Sequence, residues 1–364
     1  MQYNLLDFLS GFSDPRRPQG QRHPLPVFLL MIIMAIISGE QGLKGFARFM
    51  KSNEAELTAT FGLKHGVPKF NTTRTLLQSI QVEELADRFG QWMRQHFPPS
   101  HELWLAMDGK ALRSTVSNAQ GSMQSFVYVV SMFAQHSGLV QSVSSFESGK
   151  AYEAAAAREM IQRLGFKDAV FTLDALHCQK KTLDLIIEAG CHFLVQVKRN
   201  CNKLFDRLQM FCALCRPISV CETFETGRGR EEHRRVELFA NHAELPKGWN
   251  GVERIVRVRR WGTRNSKPYE HLHYYVLSKP INSAQEVARR IRGHWGIENT
   301  LHWVKDAILG EDEMTIRRAN AATVVAHLNT VALNLLRLAG HKPNKDTFAK
   351  FANKVNELYF LFGL

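Results

Sequence analysis

Three carboxylates stand where they could share a metal ion: Asp108 in "LAMDGK", Asp174 in "FTLDA" and Glu298 in "HWGIENTLHW". Asp108 and Asp174 each follow a short apolar run that reads as a buried strand. An acid directly after such a strand lies at the carboxyl edge of a sheet, where α/β sheets place their sites. If the two strands are neighbours, both carboxylates project into one crevice. There they repel each other unless a divalent cation neutralises them. Oxygen-only ligands favour Mg²⁺ or Mn²⁺ over zinc. Taken singly, each aspartate has a plainer role, Asp108 capping the turn into Gly109 and Asp174 capping a helix that begins near Leu176. A third acid on a helix tips the balance toward metal.

Glu298 is that acid. At ~100° per residue, Ile297, Leu301, Val304 and Ile308 form one helical stripe, the buried face. His294, Glu298, His302 and Lys305 form a second stripe roughly 90° around. One acid among imidazoles and an ammonium suits a surface that handles phosphate. Phosphodiester cleavage needs a deprotonated water or 3′-OH and a stabilised leaving oxygen. Two cations ~3.5–4 Å apart on carboxylates supply both. A zinc site on His294, Glu298 and His302 is the rival reading. Their stripe is ~12 Å long, too long for one ion to bind all three easily.

The elements that must position these acids are set by the texture of the chain. With 364 residues it can form two or three cores. Residues 1–100 read as a helical domain with basic turns that include Arg16, Arg17 and Arg74. The run "LPVFLLMIIMAIISG" is too short to span a bilayer and reads as a buried helix. "HFPPSH" marks a boundary. Residues 101–204 alternate strands and helices, which implies a mixed α/β sheet. Residues 205–278 read as an antiparallel, β-rich insertion with one basic face, Arg254, Arg257, Arg259 and Arg260 set against Ile255, Val256 and Val258. Residues 279–364 are helical again. The formal charge of +13 points to a polyanion, nucleic acid first, or to a basic protein kept soluble by its charge. The six cysteines lack the spacing of a four-ligand zinc site and read as reduced thiols. No targeting signal is visible, so the expectation is a cytoplasmic protein without a membrane partner.

The motifs "DGKALRST", "LDALHCQKK", "GRGREEHRRVE", "RGHWGIENTLHW" and "GEDEMTIRRANAA", in this order, resemble the DDE transposases of bacterial insertion sequences. The H-repeat-associated branch found in Rhs elements is especially similar. That resemblance implies an RNase H-like core behind a helical N-terminal DNA-binding domain, with 101–204 and 279–364 as its two parts. It implies Asp108, Asp174 and Glu298 as catalytic, metal-holding acids with Mg²⁺ (or Mn²⁺) as cofactor. The implied activity is strand cleavage and strand transfer on double-stranded DNA, at element terminal repeats and target sites. A homodimer on DNA, in the bacterial cytoplasm and on the nucleoid, is the implied working form. Arg16, Arg17, Arg74, Lys110, Arg113, Arg228, Arg230, Arg292, His294 and Lys305 are the expected DNA contacts. Relatives carry a Tyr-x2-Arg-x3-Glu-x6-Lys signature on this helix; here the positions hold Ile291, His294, Glu298 and Lys305. The alternative is a domesticated, non-catalytic DNA-binding protein.

Overall fold

The computed structural model describes residues 5–96, 103–117, 125–147, 150–227, 229–352 and 354–364. The apolar run near the N-terminus is hydrophobic all round, so it can be stable in water only if surrounded. It forms α2 (Leu25–Ile37), buried along almost its whole length. Around it pack α1 (Leu5–Ser10), α3 (Gly42–Ser52), α4 (Glu54–Phe61), α5 (Phe70–Ser79) and α6 (Val82–Arg94). Helix α5 begins at Phe70, and Lys69 before it is extended.

Beyond this layer lie β1 (Trp104–Ser117), β2 (Ser125–Ala134) and β3 (Val140–Glu147), an antiparallel meander. Then come α7 (Lys150–Leu164), β4 (Val170–Leu173), α8 (Lys180–Glu188), β5 (His192–Val197) and α9 (Asn202–Leu214). Strands β6 (Ser219–Gly227), β7 (Arg230–Ala240), β8 (Arg254–Arg264) and β9 (Lys267–Leu277) come next. The nine strands form one mixed sheet in the order β3-β2-β1-β4-β5-β9-β8-β7-β6. The β1–β4 and β4–β5 pairs are parallel. The segment expected as an insertion therefore begins with a helix, and its strands extend the central sheet through the β5–β9 pair.

Its arginines do not share one face. Strand period two puts Val256 and Val258 into one core and Ile255 into the core on the opposite side, so the arginines between them divide as well. Arg257 pairs with Glu237, Arg259 with Glu270 at 2.7 Å and Arg260 with Glu232 at 2.8 Å. The expectation of a single basic face fails because "RIVRVRR" does not alternate strictly.

The chain closes with α10 (Ala284–His294), α11 (Trp303–Ala307), α12 (Ala319–Leu338), α13 (Lys345–Phe351) and α14 (Val355–Phe362). Helix α12 is buried over most of its length and shares a continuous core with α2, α5, α6 and one face of β1–β3. Its Asn334 meets the edge strand: Oδ1 accepts from Val140 N at 3.0 Å and Nδ2 donates to Val140 O at 2.8 Å. That contact satisfies backbone groups the edge would otherwise leave open. Replacing Asn334 by Leu should cost about 1–3 kcal/mol for each backbone group left unpaired. A urea midpoint that moves by less than ~0.5 kcal/mol equivalent would contradict the role given to this contact.

Candidate active site

The acids are placed by strand register. Trp104, Leu105 and Ala106 face Val170, Phe171 and Thr172 in the parallel β1–β4 pair. That offset of 66 residues is the one that separates Asp108 from Asp174. The two carboxylates thus leave adjacent strands at the same level, at the carboxyl end of β4. Both are partly exposed. Asp174 also caps the turn after it, its Oδ1 accepting from Leu176 N at 2.9 Å. The plain cap and the place beside Asp108 are compatible.

Helix α10 lies across this face. Arg290 stacks over the Trp104 ring at 4.5 Å, and Gln135 Nε2 donates to both Thr172 Oγ1 and the Arg290 carbonyl. Gly293 permits the approach, since a Cβ there would lie 2.4 Å from the Gln135 side chain. His294 is brought to Thr172, with Nδ1 at 3.1 Å from Oγ1. Burial lowers its pKa, against the pull of Asp108 and Asp174. A neutral imidazole therefore stands beside both acids.

After α10 the helix does not stay regular. Residues Glu298–His302 form a π turn, with Trp303 N bonded to the Glu298 carbonyl. Such wide turns inside helices often sit at functional sites. Ile297, Leu301 and Val304 are buried as the helical stripe requires. The wide turn, however, shifts the helical phase of the residues C-terminal to it. Glu298 keeps a half-exposed side chain, whereas His302 and Lys305 are buried instead of flanking it. His302 Nδ1 lies 3.3 Å from Asp108 Oδ2 and 3.8 Å from Glu298 Oε2. Ligand atoms of Asp108, Glu298 and His302 all fall within 4.8 Å of one another. This donor set fits a divalent cation, two carboxylates with one imidazole. His294 stands outside that group, and so does Asp174. Sequence reasoning placed His302 on the same stripe as Glu298 but did not count it with Asp108, since only the fold brings strand and π turn together.

Several expected DNA contacts have other occupations. Lys110 lies at the centre of an acidic ring, 2.7 Å from Asp306, 2.9 Å from Asp312 and 3.4 Å from Glu311. Burial alone would lower its pKa, but Glu311, Asp306 and Asp312 outweigh it and raise it. Lys305, 2% exposed, donates to the Ala326 carbonyl at 3.3 Å and lies 3.8 Å from Glu311. Complete burial lowers its pKa despite Glu311. Asn329 Nδ2 donates to Glu311 Oε1 at 3.1 Å. These two lysines face the interior and are engaged by acids, whereas His294 is partly exposed and lines the crevice at Asp174. Arg16 is tied to Asp14 and the His23 carbonyl, both at 2.7 Å. Arg17 and Arg74 are exposed. Arg113 is mostly exposed and reaches Asp312 at 3.3 Å. Arg230 and Arg292 pair with Glu232 and Glu225. Arg228 lies outside the described residues. The run "GEDE" after the helix, together with a lysine two residues beyond Asp108, was the available signal for the acidic ring.

Two family models match the chain. The one described as Transposase DDE domain covers residues 100–335, and the one described as DDE_Tnp_1-associated covers residues 6–93. The chain is 28% identical over 349 residues to "Putative transposase YncI" of Escherichia coli O157:H7, covering 92% of this chain and 87% of that protein. It is 27% identical over 344 residues to "H repeat-associated putative transposase YhhI" of Escherichia coli strain K12, covering 91% and 90%.

The buried ionic junction can be tested apart from any activity. Glu311→Ala removes the ion-pair partner of Lys305, leaving only the more distant Asp306 to act on it, and should cost about 3–5 kcal/mol, as breaking a buried ion pair does. Chemical denaturation reads this directly. A loss below ~1 kcal/mol would mean that Lys305 is buried uncharged or reaches water.

Proposed function

The chain belongs to the DDE transposase family, in its H-repeat-associated branch, and from that premise we propose that it cuts DNA strands at the ends of a mobile element and joins them to target DNA. The observation that carries this reading is the convergence of Asp108, level with Asp174 across β1 and β4, on Glu298 from the π turn. In this reading the three are the catalytic acids. Asp108 and Glu298 hold the metal with His302 at hand. Asp174 spends one oxygen on the Leu176 N–H and keeps a second for the same task. Mg²⁺ or Mn²⁺, when bound, supplies activation of the attacking water or 3′-hydroxyl and stabilises the leaving oxygen.

The protein's own groups prepare that chemistry. His294, neutral and anchored on Thr172, adds no positive charge between the acids. Lys110 and its acidic ring tie the strand of Asp108 to the segment C-terminal to Glu298. The meander β3-β2-β1 with parallel β4 and β5 beside it supports an RNase H-like core, formed by residues 101–204 and 279–364 around the β-rich 205–278. In the same reading residues 1–100 hold DNA through exposed groups such as Arg17 and Arg74, with Arg113 nearer the acids. Joining two element ends calls for two protomers, so the working form is a homodimer on double-stranded DNA, in the bacterial cytoplasm.

A labelled plasmid with the element's ends, incubated with Mg²⁺, Mn²⁺ or EDTA, tests the reading. Wild type should cut at the ends only with metal. Asp108→Asn, Asp174→Asn and Glu298→Gln should each lose more than the roughly 10–100-fold that removal of an outer-shell partner costs at a metal site. Their DNA affinity should be unchanged. Full cleavage by Asp108→Asn or Asp174→Asn would sink the assignment, and tight binding with no cut in either metal would leave a DNA-binding protein without catalysis.

A further inference from the structure

The parallel pairing of β1 with β4 covers Trp104–Ala106 against Val170–Thr172. Strand β4 ends at Leu173, whereas β1 runs on to Ser117. At the level of Asp108, therefore, no ladder among the described residues joins β1 to the turn that carries Asp174. Another contact must fix the distance between the two acids. It lies on the face of β1 that turns away from Glu298. Leu105 and Met107 point into a core shared with Ala157 and Met160 of α7, and Gly109 is the next residue on that face. Against it lies Glu153, from the first turn of α7. A Cβ at position 109 would fall 2.8 Å from the Glu153 carboxyl carbon. The Gly109 backbone is ordinary strand, so the restriction is one of space. The Glu153 carboxylate then reaches His177, the third residue after Asp174, with Oε1 3.4 Å from Nε2. Both residues are buried, Glu153 at 7% exposure and His177 at 1%.

The turn after β4 is held from both sides. Asn200 Nδ2 donates to the Ala175 carbonyl at 2.7 Å, which ties the turn to the segment after β5. His177 N donates to the Asp174 carbonyl at 3.3 Å, and its ring, through Glu153, ties the turn back toward β1. Arg158 of the same helix grips the chain farther on, with Nη1 3.2 Å from Thr182 Oγ1. Well-packed apolar side chains of equal volume often replace a buried acid and its partner without loss of stability. Stability alone therefore does not account for Glu153 and His177. Glu153 meets β1 on the face opposite the ligand atoms of Asp108, and His177 is sealed from solvent, so neither is placed to meet metal or DNA. We propose that Glu153 and His177 are positioning residues: the Gly109–Glu153–His177 contact sets the turn of Asp174 against Asp108 so that the two carboxylates can share a divalent cation. The proposal rests on the strand-cleavage reading. It gives Glu153 and His177 no part in the chemistry beyond holding Asp174 in place.

Mn²⁺ affinity tests this without turnover. The full chain, bound to a duplex of the element's end, is titrated calorimetrically with Mn²⁺, with the DNA alone as blank. Glu153→Ala and His177→Ala should each weaken binding about 10–100-fold, as losing a group that orients a metal ligand does. Glu153→Gln, whose amide oxygen can still accept from the imidazole, should keep most of the affinity. Gly109→Ala should behave like Glu153→Ala. The two changes together should be no worse than either, because removing the carboxylate makes room for the Cβ. In an Asp174→Asn background, Glu153→Ala should cost nothing further. Urea transitions measured alongside show which variants fold, and if Glu153→Ala does not, Gly109→Ala carries the same comparison. Three results overturn the proposal: wild-type affinity in folded Glu153→Ala, Glu153→Gln as weak as Glu153→Ala, or an undiminished loss in the Asp174→Asn background. The second would mean that Glu153 supplies charge and not position. A wild type that binds no Mn²⁺ beyond the DNA blank fails at the acids themselves, and the proposal falls with them.

Discussion

The parallel register of β1 against β4 is the constraint on which the site depends. Leu105 and Phe171 are fully buried on one side of this pair, and Ala106 with Thr172 lies on the other. Slipping the pair by one residue would turn every side chain to the wrong face, so the buried faces lock the register. Once locked, Asp108 and Asp174 emerge side by side without any further device. The cost is two like charges at one level of a sheet edge, which a cation relieves.

The second half of the site reaches that edge by a different means. Helix α10 is seated by Arg290 on Trp104, by Gln135 on its backbone and by the close approach at Gly293. The π turn then carries Glu298 toward Asp108 and sends Lys305 inward, where Glu311 receives it. Lys110 meets Asp306, Glu311 and Asp312 close by. Buried charge is costly, and such a junction favours one arrangement over its neighbours more than it adds stability. The charge pattern around the site is therefore divided: acids and lysines matched on the α12 side, arginines in excess over carboxylates on the β7–β8 side.

Much of this was legible in the sequence. The buried α2 is implied by an apolar run too short for a membrane, and the mixed sheet by strands and helices in alternation. Asp174 was visible as an acid after a buried strand, because strand periodicity is local; Asp108, expected in the same position, instead lies inside β1, which runs on to Ser117. The π turn was not visible, since a helical wheel assumes one pitch and only contacts with the sheet select a wider turn. Nor was the fate of Lys110 and Lys305, whose partners are fixed by packing: Asp312 lies 202 residues beyond Lys110. The arginines of β8 misled because their alternation breaks at Val256, and the acids opposite them lie on other strands. His302 was seen as a neighbour of Glu298, yet its approach to Asp108 is a tertiary fact. Family membership, by contrast, was readable from ordered motifs.

The most direct test of the metal site is Mn²⁺ binding, read by electron paramagnetic resonance on the DNA-bound protein and its Asp108→Asn variant. Wild type should immobilise Mn²⁺, and the variant should lose this signal while remaining folded and bound to DNA. Equal immobilisation by both proteins would place the metal elsewhere and contradict the convergence of Asp108 and Glu298 as its site.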